Sequence, residues 1–333
     1  QFFAPVQKDL FYTDTFQQAG DFKPLDHSIY VFGFTDEVRS RHIADWKSST
    51  VNVNFIEISE KTNSSFTVNG DDSNEIFLRS DQNLSTLWKD VPIESNVYID
   101  ITGLSHSTWA GVLKSAIDNG YKVLVVYVEP GLYSRSDAPL EGQIYDLSEK
   151  ITEISPLPGF AVLAPKKAET MFVPLLGFEG TRLKYIIEQI QPANEHIMPI
   201  VGLPGFKPWY VFETLKGNKA SLVETRAWES IRYVPGDCPF SCYYLLNDVY
   251  TTYNEQHIKI APIGTKPHAL AAVMFALNHP QIEIIYDHPV RKSGRTDGSS
   301  KLHVYHVSSL VKPNPTRTQD FIRSLRARRT SLA

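Results

Sequence analysis

The chain has 333 residues, 42% of them hydrophobic and 21% charged, with a formal net charge of −4. That composition is ordinary for a globular protein and long enough for two domains or one large α/β domain, and it excludes an overall basic surface for nucleic acid. Two cysteines, Cys238 and Cys242, exclude a disulfide scaffold and fit a reducing cytoplasm, and no apolar run approaches the ~20 residues that span a bilayer.

Residues 1–27 are mixed and aromatic and read as an arm packed on the body; Gln1-Phe2-Phe3-Ala4 lacks the basic-then-apolar pattern of a signal peptide. Ser28 to Phe34 (SIYVFGF) is a short apolar run ending in glycine, and a polar helical stretch follows to Trp46. Val51 to Ile58 alternates with period two, as a strand does. Residues 60–82, rich in Asn, Ser and Asp, are expected to form a loop. Asn96 to Thr102 is a strand, Gly103 to Ser107 a turn, and Trp109 to Asn119 a helix stopped by Gly120. Tyr121 to Val128 is a nearly continuous apolar strand, the pattern of a parallel strand covered on both faces.

Residues 136–170 are expected to connect two lobes, with a strand pair within Ile144 to Ile154. Phe172 to Phe178 (FVPLLGF) then repeats the first Gly-Phe ending. An acidic residue and an arginine follow in both places: Glu37 and Arg39, then Glu179 and Arg182. Leu183 to Ile190 reads as a helix and His196 to Val201 as a strand. Residues 202–257, with Pro, Trp and Tyr clusters, are an insertion that would serve as a lid or a dimer surface. Ile258 to Ile263 is a strand, Gly264 to His268 a turn, Ala269 to Leu277 a helix and Gln281 to Tyr286 a buried strand. The closing strands read VLVVYVEP and IEIIYDHP, and the helices before them WAGVLKSAI and ALAAVMFAL. Four correspondences in one order argue for internal duplication. The expected fold is therefore α/β, with two tandem Rossmann-like half-domains and mostly parallel sheets: 28–135 and 171–311. One continuous doubly wound sheet is the alternative. In both cases the turns lie at the carboxyl edge, where such sheets bind ligands.

The strongest candidate site is Gly264-Thr265-Lys266, between a strand and a helix. Glycine admits a close backbone approach, a helix start offers unpaired N–H groups, and lysine adds charge, so a phosphate is the natural guest. The upstream glycine of a P-loop is missing, and Thr265 as a plain helix cap is the competing reading. In the matching turn, Gly103 and Ser105 could hold a base or ribose with Asp100, although Ser105 also suits a cap. Arg39, Arg182 and Arg295, the last in the basic loop 291–301, are further ligand candidates. His106, His268 and Asp100 are the candidates for acid–base catalysis if the cleft is catalytic. The C-x3-C pair Cys238 and Cys242 lacks a second pair for zinc, so neither metal nor cofactor is expected. Residues 312–333 carry Arg317, Arg323, Arg326, Arg328 and Arg329 against Asp320 alone and read first as a solvated helix or tail.

The paired lobes and the strand–Gly264-Thr265-Lys266–helix turn resemble the CARF and SAVED sensor domains of prokaryotic antiviral systems. That resemblance implies a cleft for cyclic oligonucleotides shared by two Rossmann-like units, with Thr265 and Lys266 on phosphate. It also implies a separate effector or complex partner, since this chain carries no nuclease, protease or membrane effector motif. The two turns differ in charge, which favours a ligand with distinct phosphate and base or sugar ends. Three readings result: a cytoplasmic nucleotide-type sensor, with a homodimer left open; an enzyme on a nucleotide or phosphorylated small molecule; and a structural subunit without ligand.

Overall fold

The computed structural model describes residues 12–140, 143–145, 147–163, 169–311 and 313. The basic tail arginines fall outside the described residues. In chain order the strands begin with β1 (Thr13–Phe16), β2 (Ile29–Phe32), β3 (Asn54–Thr62), β4 (Ser65–Val68), β5 (Asp71–Phe77), β6 (Asn96–Asp100) and β7 (Lys122–Tyr133). Next come β8 (Arg135–Leu140), β9 (Gln143–Tyr145), β10 (Ser148–Ile151) and β11 (Ser155–Pro156). The chain continues through β12 (Thr170–Leu175), β13 (Ile200–Gly202), β14 (Arg232–Val234), β15 (His257–Pro262), β16 (Glu283–Tyr286), β17 (Pro289–Arg291) and β18 (Thr296–Tyr305). The helices are α1 (Ile43–Trp46), α2 (Asp81–Leu84), α3 (His106–Asp118), α4 (Gly180–Ile190), α5 (Tyr210–Gly217), α6 (Lys219–Glu224), α7 (Pro239–Thr252) and α8 (Lys266–Asn278). No helix among the described residues is long and apolar enough to cross a membrane.

The protein is mixed α/β, built on two large sheets whose central strands run parallel. The first has the order β1-β18-β7-β6-β2-β3-β4-β5, and the second β11-β16-β15-β12-β13-β14. In the first, β7, β6, β2 and β3 are parallel; in the second, β16, β15, β12, β13 and β14 are. Their side chains alternate between two apolar layers, as the pleat requires. On β2, Ile29 and Val31 enter one core while Tyr30 and Phe32 enter another; on β7, Val123, Val125 and Tyr127 oppose Leu124, Val126 and Val128. The inner core is shared: it takes Val31, Ile99 and Val125 from the first sheet and Val173, Ile260 and Ile284 from the second. Helices α3, α7 and α8 fill the space between them. This explains why Ala269 to Ala276 is apolar all round, since every residue of that run is buried. The helix α4 covers the outer face of the second sheet with Leu183 and Ile186.

Several elements differ from expectation. Residues 60–82 are not a loop but the end of β3 and the hairpin β4–β5. Its Asn69 and Gly70 both have positive φ, at 52° and 76°, the two-residue turn that matches strand twist. Within 144–154, β9 and β10 do not pair with each other; they pair with β8 and β17. The strand β18, expected in the second lobe, crosses back to the first sheet beside β7, where Leu302 and Val304 complete the outer core. The arm strand β1 then pairs with β18. The insertion 202–257 supplies α5, α6, α7 and the edge strand β14.

Candidate functional site

The two carboxyl-edge turns meet. Ser105 caps α3 by accepting from Thr108 N, and Thr265 caps α8 by accepting from His268 N, so both helices begin facing the gap between the sheets. Thr265 Oγ1 also donates to Gly236 O at 2.8 Å. Glycines set how closely the turns approach their neighbours. A Cβ on Gly103 would stand 1.8 Å from Gly33 O, and one on Gly264 would stand 2.5 Å from Leu176 O. In each sheet, then, the turn after the first parallel strand lies directly against the turn after a strand paired beside it, β2 against β6 and β12 against β15.

Lys266 spans the two lobes. Its Nζ donates to Ile101 O, to Thr102 O at 2.8 Å and to Leu104 O at 2.8 Å, all on the opposing turn. The side chain is buried, and every ammonium N–H has a carbonyl. Burial, then Arg291 and Arg39, push its pKa well down. The lysine expected on a ligand phosphate is thus committed to the neighbouring turn, at the wall of the pocket.

That pocket encloses about 90 Å³ at the carboxyl edges of both sheets. Its wall includes Arg39, Arg182, Lys266, Arg291 and Arg295, together with His106, Gly264 and Thr265. Three carboxylates hold part of this charge. Glu37 accepts from Arg39 Nε at 2.6 Å and from Arg295, and the guanidinium groups keep its carboxyl well below the usual range against the effect of burial. Arg182 makes a two-pronged pair with Asp287, at 2.7 and 2.6 Å, and lies 3.7 Å from Glu179. Arg39 also reaches Val128 O at 2.7 Å. Among the described residues Arg291 donates to Leu104 O, at 3.3 Å. Among the described residues neither Lys266 nor Arg291 forms an ion pair with a carboxylate. Burial and the neighbouring Arg295 lower the Arg291 pKa.

His106 opens α3 and lines this pocket. Its ring stacks on Tyr286 at 4.8 Å and 17°, with Nδ1 3.5 Å from the tyrosine hydroxyl. Its Nε2 is buried without a hydrogen-bond partner among the described residues. Burial first, then Arg291, Lys266, Arg182 and Arg295, hold its pKa well below the usual histidine value, so the ring is neutral at pH 7. Much of the remaining wall is aromatic: Tyr133, Phe178, Phe206 and Tyr210 line it. Phe178 packs edge-on against Tyr133 at 5.4 Å and Tyr210 at 5.0 Å, and stacks on Tyr145 at 4.4 Å.

Asp100 and His268 do not line the pocket. Asp100 accepts from Tyr30 OH at 2.9 Å and from His42 Nε2 at 2.6 Å, and His42 Nδ1 in turn accepts from Trp46, a closed network on the outer side of the first sheet. His42 holds the Asp100 carboxyl below its usual range despite full burial. The His268 ring donates from Nε2 to Pro235 O at 2.9 Å. Gly103 and Ser105 serve the turn: Ser105 N donates to Glu60 at 2.8 Å and its hydroxyl caps the helix. Tyr286 and Asp287 were not among the site residues expected from sequence, whereas Arg291 opens the basic loop 291–301 that was. The signal for the first two was positional, since they lie at the carboxyl end of a buried parallel strand, at the edge where ligands bind.

No known protein-family model matches this chain, and no curated protein matches its sequence.

Proposed function

We propose that this protein binds a nucleotide-type, phosphate-bearing ligand in the cleft between its two sheets, as a cytoplasmic sensor or regulatory subunit acting with a separate effector. The observation that carries this reading is the pairing state of the buried cations. Lys266 and Arg291 sit in the wall with no carboxylate partner, and their nearest charges include other cations. An anion is the group that would relieve that repulsion. The aromatic wall beside them suits a base, as stacking on tyrosine and phenylalanine does elsewhere. The present space is below the ~300–1,000 Å³ of small-molecule sites, so a phosphate fits it, and a whole nucleotide requires it to widen.

The same reading takes the lobes as a Rossmann-like duplication. With the edge strand β14 of the insertion set aside, both sheets place their parallel strands in the spatial order second, first, third, fourth (β3-β2-β6-β7 and β13-β12-β15-β16), and both pack the turn after the first on the turn after the third through glycine. An arginine after the first strand reaches the end of the fourth in each: Arg39 to Val128 and Arg182 to Asp287. A cleft shared by two such units is what the likeness to CARF and SAVED sensors implies, with the difference that Lys266 holds the opposing turn.

Calorimetry with inorganic phosphate, mononucleotides and cyclic oligonucleotides tests the proposal. We expect binding by at least one, weakened about tenfold or more by Arg291→Gln, as loss of a charged hydrogen bond implies. Absence of binding by every phosphate ligand sinks it. A second reading, an enzyme, rests on His106, the neutral pocket imidazole with an unused nitrogen. Chromatography of the ligand after incubation separates the two, because a sensor returns it intact.

A further inference from the structure

A second cluster of ligating groups lies just outside the pocket and takes no part in it. Glu129 on β7, His303 on β18 and Asp237 before α7 each offer one atom, and these atoms all lie within 4.8 Å of one another. The placement follows from the fold. His303 stands opposite Tyr127 in the antiparallel pair β7–β18, and Glu129, two residues along, shares the Tyr127 face. Two further contacts hold the groups in place. Thr15 Oγ1, cross-strand from His303, lies 2.9 Å from His303 Nδ1, which leaves Nε2 for the cluster. Tyr305 OH donates to the Asp237 carbonyl at 2.6 Å. His303 Nε2 is 2.7 Å from Glu129 Oε1. Glu129 and His303 are buried and Asp237 is half-buried.

We propose that Glu129, Asp237 and His303 form a site for a divalent transition-metal ion of the zinc type, with water completing its coordination. Without an ion, one imidazole faces two carboxylates. His303 Nε2 is already paired with Glu129, while the Asp237 side chain has no ion pair or hydrogen bond among the described residues. A divalent cation satisfies all three. A hydrogen bond from the second imidazole nitrogen is the usual support of a metal-bound histidine, and Thr15 is placed to receive it. Ligand atoms of a tetrahedral zinc site stand about 3.3 Å apart, so the His303–Glu129 pair at 2.7 Å opens by about 0.6 Å and the widest gap, at most 4.8 Å, closes by up to about 1.5 Å. One imidazole among carboxylates favours zinc over magnesium or calcium. The ion would also stiffen the pocket wall, because the same loop gives Pro235 O to His268 and Gly236 O to Thr265.

The test is titration calorimetry of the whole chain with zinc at pH 7. We expect one ion per chain, with Asp237→Asn and His303→Gln each weakening binding about tenfold or more and Cys238→Ser leaving it unchanged. The cysteine variant matters because Cys238 adjoins Asp237. No binding by the wild type, binding that survives Asp237→Asn, or loss of binding in Cys238→Ser overturns the proposal. If His303→Gln fails to fold, Asp237→Asn decides alone, since the half-buried Asp237 side chain has no ion pair or hydrogen bond to lose among the described residues.

Discussion

Replacing Lys266 with methionine keeps most of the side-chain volume and removes the ammonium that joins the two lobes. Three carbonyls lose a donor: Ile101, Thr102 and Leu104. Leu104 O keeps Arg291, so two buried acceptors are orphaned. Each orphan costs about 1–3 kcal/mol, and easing the crowding with Arg291 and Arg39 returns about 1 kcal/mol. The net expectation is a loss of about 3 kcal/mol, a fall in Tm of roughly 4 °C for a chain of this size. Urea unfolding of the wild type and Lys266→Met measures it. The loss should appear without any ligand present, because the contacts are internal. A variant within about 0.5 kcal/mol of wild type refutes the reasoning and returns Lys266 to the role of a solvent- or ligand-facing charge.

Gly103→Ala should destabilise by more than about 3 kcal/mol or prevent folding, because its Cβ would stand 1.8 Å from the Gly33 carbonyl oxygen, a backbone atom with no room to yield; soluble expression and thermal melting check this. Stability should fall as pH drops below about 6.5. Burial lowers the folded pKa values of His106, His268, His279 and His288, so the unfolded chain binds more protons in that window and stability is lost with acid. The lowered carboxyls of Asp100, Glu37 and Glu283 act in the same direction at lower pH. Urea midpoints at several pH values should show a shallower fall for His106→Gln, and curves parallel to wild type would count against the buried, neutral His106.

The local periodicities were legible from the chain alone. The apolar runs at 96–102, 121–128, 258–263 and 281–286 are short and rich in β-branched residues, as strands covered on both faces are, and Ser105, Gly120 and Thr265 mark helix ends through local chemistry. The Asn69-Gly70 turn was equally legible, but it was hidden in a polar stretch that reads as loop on composition. What each turn faces was not legible. Lys266 looks like a phosphate lysine at a helix start, and only the approach of the opposing turn gives its ammonium three carbonyls. Asp100 ends a parallel strand, but its side chain points to the outer layer, where His42 and Tyr30 wait far away in sequence. The same holds for β18, whose pattern suits either sheet. Secondary structure follows from period and capping, which are properties of neighbours along the chain. Partners of buried charges follow from which surfaces close on one another, and that is decided by packing two sheets around α3, α7 and α8.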